Sequence, residues 1–383
     1  MATDTPPPPQ DLNCNLNEEQ YHLRFPSSDE PETYGLVGSD AEWRQLRNDP
    51  DYLVPGIPPG IGNVLRIGRA GAKNDKLTMW DGEEIEFWSF EDENGDWEWP
   101  AKLIRLTGGD LLQCELKTSK SVHTIHWHGI EPDMDNDGVG HTSFEVSSQY
   151  TYQWRAHPAN AGTYFYHCHV NTTLHVQMGM LGGLIIDPYE GENPPERKLP
   201  FADAPESWRY HPEHERYWAL YACDPRWHEL GHAAGLCGED VGLNVFNPQY
   251  FMINRFSQNP NGVPIQGTAS SPVSVTAPRG ENVLLRMVNA TYFPVDIDFG
   301  RLPAHLIETD GRALRPRIDL DGLGAGTPIA LPPGSYPNRI GSAERFAILI
   351  KDAQPGTYPI TFTYRHWITK EPVGFARTEV TIT

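Results

Sequence analysis

The reading of the fold turns on Gly162-Thr163-Tyr164-Phe165-Tyr166-His167-Cys168-His169-Val170-Asn171-Thr172-Thr173-Leu174-His175-Val176-Gln177-Met178-Gly179-Met180, taken with Val122-His123-Thr124-Ile125-His126-Trp127-His128-Gly129. Both stretches open as short runs rich in β-branched and aromatic residues, the composition of strands. Side chains alternate between the two faces of a strand, so parity sorts the polar residues. His126 and His128 share a face and His123 lies on the other. His167 and His169 share a face while Cys168 points the opposite way. If the two strands are neighbours, His123 and Cys168 converge on one side and the four remaining histidines on the other.

Two metal sites back to back follow from that parity. His123, Cys168, His175 and Met180 offer two imidazoles, a thiolate and a thioether, the ligand set of a blue-copper electron-transfer centre with a weak axial Met. His126, His128, His167 and His169 form an all-nitrogen set suited to a copper left open for dioxygen or another small oxidant. The peptide bonds that join Cys168 to His167 and His169 give electrons a short covalent path between the sites. Zinc also accepts Cys and His, but the Met and the excess of histidines favour copper.

Outward from these motifs, short alternating stretches bounded by turn residues recur at Val64–Ile67, Glu84–Phe90, Leu103–Leu106, Asp110–Leu116, Tyr150–Trp154 and Gly182–Ile186. This spacing reads as a β-sandwich or barrel. A second block runs from Tyr250–Ile253 to Arg377–Ile382. At 383 residues the chain is long for one core, and it divides as an N-terminal extension over 1–60, a first β domain over 61–190, a connection over 191–245 and a second β domain over 246–383. The expected class is all-β, two sandwiches in tandem with an N-terminal arm.

With 30 Lys+Arg against 51 Asp+Glu, the formal charge is −21. Nucleic acid and anionic membrane surfaces would be repelled, which leaves small molecules, metal cations or basic proteins as partners. No apolar run reaches the roughly 18 residues that cross a bilayer. The five cysteines are Cys14, Cys114, Cys168, Cys223 and Cys237. With Cys168 given to a metal, Cys223 with Cys237 is a candidate disulfide and Cys14 with Cys114 a second, and oxidised pairs belong outside the cytosol. The chain opens Met1-Ala2-Thr3-Asp4 and then four prolines, without the features of a signal peptide. A periplasmic or secreted form whose signal is absent from this numbering is expected, with a cytoplasmic location left open.

The chain resembles the multicopper oxidases and, more broadly, the cupredoxin-fold oxidases that include copper nitrite reductases. The resemblance rests on Pro100, Ile104-Arg105, Gly109-Asp110, His123 to Gly129, Asp137-Gly138 and Gly162 to His169. It is weaker in Phe251-Met252-Ile253-Asn254, Gly280-Glu281, Leu285-Arg286, Asn289, Asp310-Gly311 and Glu344-Arg345-Phe346. It implies cupredoxin-like Greek-key sandwiches in a laccase-like oxidoreductase. Electrons from a small-molecule or metal-ion donor would enter at a type 1 copper and pass to a type 2 or type 3 copper site that reduces dioxygen. The chain departs from the family in having two His-x-His pairs instead of four, with only His305 and His366 in the second domain. From Cys168 to His175 it is also two residues longer than usual. Scattered histidines of the connection (His211, His214, His228, His232) or a neighbouring subunit could supply missing ligands. Alternatively, as in nitrite reductases, a trimer could hold one type 1 and one type 2 copper per chain, with His366 completing the neighbour's site. A third reading is a copper electron-transfer protein without oxidase activity.

Two other motifs are weighed and set aside. His228-Glu229-Leu230-Gly231-His232 has the spacing of a zinc-protease helix, but the third ligand position is Gly238. Asp133-Met134-Asp135-Asn136-Asp137-Gly138 begins like a calcium loop, but its twelfth position is Phe144. It reads better as a solvated acidic loop beside the metal site. Asn171-Thr172-Thr173 and Asn289-Ala290-Thr291 have the form of glycosylation sequons.

Overall fold

The structure, a computed structural model, describes residues 36–49, 57–118, 121–230, 245–258, 273–314, 329–330 and 338–383. The first sandwich is built from β1 (Val64–Thr78), β2 (Glu84–Asp92), β3 (Ala101–Thr107), β4 (Leu111–Lys117), β5 (His126–His128), β6 (Gln149–Arg155), β7 (Gly162–His167) and β8 (Leu181–Asp187). One sheet has the order β2-β1-β4-β6 and the other β3-β8-β7-β5. Parallel pairing of β1 with β4 and of β3 with β8 means that these neighbours are joined by crossovers. The inward residues of both sheets, among them Phe90, Ile104, Leu112, Trp127, Tyr152, Tyr166 and Leu184, make one buried core.

The second sandwich contains β9 (Glu215–Cys223), β10 (Tyr250–Ile253), β11 (Phe256–Ser257), β12 (Val275–Ala277), β13 (Val283–Asn289), β14 (Val295–Asp298), β15 (Ala304–Thr309), β16 (Arg312–Ala313), β17 (Ile329–Ala330), β18 (Arg339–Ile340), β19 (Arg345–Ile350), β20 (Gly356–Arg365) and β21 (Pro372–Ile382). One sheet runs β11-β10-β9-β13-β19-β15-β16 and the facing one β12-β21-β20-β14-β18. Strand β9 lies within the segment read from sequence as connection, yet it pairs with both β10 and β13 in the interior of its sheet. Its residues Trp218 to Cys223 are all buried, so the sequence there is a continuous apolar run without the alternation that marks a half-exposed strand.

N-terminal to the first sandwich, helix α1 (Asp40–Leu46) starts at Ser39, whose side chain accepts from the Glu42 N–H, satisfying one of the first-turn donors. Its Trp43 packs with Val37 and Leu111.

The sandwiches share a dry interface in which Phe87, Trp99, Phe165 and Leu181 meet Tyr221, Cys223, Met252 and Val288. Beside it lies a buried ionic network. Arg286, with 0% exposure, donates from Nε to Glu215 Oε1 at 2.8 Å and from Nη1 to Thr163 Oγ1 at 2.9 Å and Glu308 Oε2 at 3.4 Å. Glu308 accepts the Thr163 backbone N–H at 2.6 Å, while Arg105 binds both Asp187 and Glu215. The first residues of β7 are thus fastened to the second sandwich. Its last residues enter the centre described next.

Candidate metal centre

The two motif stretches meet through β5 and β7, which pair antiparallel with His126 opposite His167 and His128 opposite Phe165. Only His126–His128 is strand. His123 lies in an irregular segment and makes an isolated bridge to Val146, so its side is set by that bridge and not by the parity of a long strand. The outcome still has the expected sense. Trp127 enters the core while its histidine neighbours turn outward from it.

On the core side, His123 Nδ1 lies 3.7 Å and His175 Nδ1 3.1 Å from Cys168 Sγ. These ligand atoms lie within 4.8 Å of one another, and the three residues are 1%, 0% and 3% exposed. His175 comes from helix α3, which follows β7; with α2 (Met134–Asp137) before it, α3 spans Thr172–Met178. The helix stops at Gly179, whose φ of 109° is left-handed; a Cβ there would stand 2.5 Å from Trp99 Nε1. That turn brings the Met180 N–H to the His175 carbonyl at 2.9 Å, and the Cys168 N–H then donates to Met180 O at 3.0 Å. Met180 is therefore directly across from Cys168 and, like it, fully buried in the first core. Burial pushes the Cys168 thiol up to about 12, so a cation that claims the sulfur must displace its proton.

On the other side, His126, His128 and His167 bring ligand atoms within 4.8 Å of one another. His128 Nδ1 is 3.1 Å from His167 Nε2. Hydrogen bonds at the opposite nitrogens set two of the rings: His126 Nδ1 donates to the Asp137 carbonyl and His167 Nδ1 to the Cys168 carbonyl, each at 2.9 Å. This leaves Nε2 of each with its lone pair, the outer-shell arrangement usual for a metal-binding imidazole. Burial, then the charge of Arg345, pulls His128 down to about 3. Burial, then His126, holds His167 well below its ordinary value. Neutral imidazoles are the ligating form.

His169, expected as the fourth member, is not one of the three whose atoms gather within 4.8 Å, but it lines the same cavity as they do. Its ring is 5.4 Å from His126 and stacks on His167 at 5.8 Å, and its backbone N–H is held by Thr124 Oγ1. Position 169 is past the end of β7, so strand parity no longer governs it. The remaining sequence candidates lie elsewhere. His366 sits in the β20–β21 turn, where Nδ1 accepts the N–H groups of Ile368 and Thr369. Its proton is therefore on Nε2, and ligation through that atom would require those bonds to be given up. His211 caps a short 3-10 turn that ends at His214. His228 is in α4 (Pro225–His228), too short for two ligands one turn apart. It is buried, contacting Glu86 O and Gln177 Nε2, and His232 lies outside the described residues.

Cys114 and Cys223 are buried free thiols, so neither expected disulfide is formed at them; Cys14 and Cys237 lie outside the described residues. Cys114 projects into the first core and Cys223 into the shared interface. The Asn289 sequon is closed as well, because Asn289 is fully buried and its amide donates to Phe293 O and Ile340 O.

The acidic loop has a role that the sequence reading did not assign. Asn136 donates to Asp133 Oδ1 and accepts the Gln153 N–H, which locks α2 so that Asp137 faces His126. Gly138 closes the turn at φ 72°, and a Cβ would lie 2.0 Å from the Ile125 carbonyl. Gly138→Ala is therefore expected to cost about 1–3 kcal/mol and to displace Asp137. Copper-to-protein ratios should fall at the histidine group while the thiolate group keeps its metal.

Residues 76–191 match the family profile described as multicopper oxidase. Over that stretch, less than a third of its length, the chain is similar to the multicopper oxidases. L-ascorbate oxidase of Cucumis sativus is 33% identical over 160 residues, which cover 38% of this chain and 25% of that one. Copper resistance protein A of Escherichia coli is 36% identical over 97 residues, 24% of this chain and 15% of that protein. The aligned part is a quarter or less of the length of these relatives. In fold, the blue copper oxidase of Nitrosomonas europaea is similar over 84% of this chain and 86% of that one, with a TM-score of 0.57 and 21% identity. The architecture is accordingly that of cupredoxin-like sandwiches, and copper is the metal this family uses. Both groups suit it: a thiolate, imidazoles and a nearby thioether form a soft set, and three neutral imidazoles a borderline one.

Proposed function

We propose that the protein is a laccase-like copper oxidase in which His123, Cys168, His175 and Met180 hold a type 1 copper and His126, His128 and His167 hold a second copper. One observation carries the reading: two separate groups of ligand atoms, each gathered within 4.8 Å, are joined through the single peptide bond between His167 and Cys168. Copper at these groups would supply one-electron redox chemistry and an open position for dioxygen. The chain's own residues keep that chemistry ordered. Core packing excludes water from Cys168, the Asp137 and Cys168 carbonyls orient the imidazoles, and β7 provides the covalent path between the groups. Electrons would come one at a time from a small organic or metal-ion donor, and four are needed to take dioxygen to water.

A second reading, a nitrite-reductase-like trimer with one type 1 and one type 2 copper per chain, is favoured by the gathering of three histidines, not four, among the described residues. Counting coppers per chain, with visible and paramagnetic spectra, separates these readings. Four coppers including a coupled pair support a complete oxidase cluster and two support the second reading; one blue copper alone makes the protein an electron carrier and sinks both. His126→Ala is expected to leave the blue absorbance intact and abolish oxygen consumption. An unchanged oxidase rate would place oxygen chemistry elsewhere.

A further inference from the structure

Between the three imidazoles and the second sandwich lies a cavity of about 220 Å³. His126, His128 and His167 form one wall; Thr291, Tyr292 and Ser342 stand on the other. Thr291 differs from its neighbours in one respect. It is only 3% exposed, and its Oγ1 is buried without a hydrogen-bond partner among the described residues. A hydroxyl left in that state is destabilising, and buried polar groups nearly always find a partner. Thr172, on the same cavity, does so by donating to the His169 carbonyl at 3.2 Å.

The backbone around Thr291 allows little escape. Its N–H donates to Asn289 Oδ1 at 3.2 Å, the Asn289 amide is itself anchored twice, and the Ala290 N–H is bound to Leu220 O at 2.8 Å. Behind the imidazoles stands Arg345, whose guanidinium is paired with Asp310 at 3.0 Å. Phe165 stacks on His128 at 4.6 Å, and the buried guanidinium of Arg345 lies over the Phe165 ring at 6.0 Å.

We infer that Thr291 is a binding residue of the histidine site: its hydroxyl donates a hydrogen bond to a small anionic ligand held in the cavity against His126, His128 and His167. The second sandwich then contributes a hydroxyl donor to the site and not a further imidazole. This rests on the copper assignment proposed above. It adds a preference for small ligands that carry negative charge at the atom facing Thr291, because a hydroxyl donor stabilises an anionic acceptor most.

Azide, titrated into the copper-loaded protein and followed through the spectrum of its non-blue copper, tests the assignment. Thr291→Val is expected to weaken azide binding about tenfold, the worth of one hydrogen bond, with Thr291→Ser close to wild type. The blue absorbance should be unchanged in both variants, and the melting temperature of the valine variant equal to or above wild type, since an unsatisfied hydroxyl is removed. Equal azide affinity in the valine variant overturns the role of Thr291 and leaves the copper assignment standing. A melting temperature lowered by several degrees overturns it too, by showing that the hydroxyl serves the fold. A wild-type protein with no azide-responsive copper overturns the copper assignment, and this inference with it.

Discussion

Replacing Cys168 with alanine is expected to bleach the protein and reduce turnover with external donors to background. The thiolate is the one soft anionic donor of its group, and the intense red absorbance of a blue centre needs sulfur-to-copper charge transfer. His123 and His175 would remain, but two imidazoles and a thioether hold copper weakly and carry no such band. The coordination of His126, His128 and His167 involves none of the lost atoms, so one copper per chain should disappear and the others stay. Cys114→Ala and Cys223→Ala are the matched controls, since both are buried thiols outside either ligand group. Absorbance spectra with metal analysis decide the matter, and colour plus turnover surviving in Cys168→Ala would remove the thiolate assignment.

Arg286→Met is expected to cost about 3–5 kcal/mol, the range for stripping one partner from a buried ionic cluster. The guanidinium holds Glu215, Glu308 and Thr163 at once. Glu215 would keep Arg105, but Glu308 would keep only the Thr163 contact and has 0% exposure. Burial already raises its pKa, so it would take up a proton, which limits the penalty without removing it. Arg286→Lys should rescue little, because a single ammonium cannot reproduce a planar fork across three acceptors. The urea midpoint measures the effect, and a change below about 0.5 kcal/mol, the scale of a surface substitution, would show that the network contributes nothing to the fold.

Much of this was legible in the sequence, for identifiable reasons. The His-Cys-His run needed no tertiary knowledge beyond alternation, because β7 is a regular strand up to His167. The thiolate group was legible because its members lie within that run, on the helix after it, or opposite it. Legibility failed where the backbone leaves its pattern. His169 lies past the strand end, where parity alone does not place it, and β9 escaped notice because burial on both faces erases alternation. Arg286 looked like an unremarkable arginine, as its partners Thr163, Glu215 and Glu308 are distant in sequence. Thr291 stood out only as the end of a sequon, since an unpartnered hydroxyl is visible only once its surroundings are packed. Of the cysteines, Cys114 and Cys223 are placed by strand direction in two different apolar interiors, a commitment that counting cysteines does not show.

The attachment of β7 to the second sandwich also limits protein engineering. All six residues of this strand are buried, because its outer face is covered by the neighbouring domain: the Tyr164 carbonyl accepts the Tyr217 hydroxyl at 2.7 Å, and the Tyr164 hydroxyl donates to Gly311 O at 2.9 Å. The copper-binding half therefore cannot be excised as a portable redox module in the way a small single-domain electron carrier could be. Cutting it free would leave Thr163 and Phe165 facing water on the same strand that must present His167 and Cys168 in register. Any transplant would need that outer face redesigned as a polar surface before it could keep its metals.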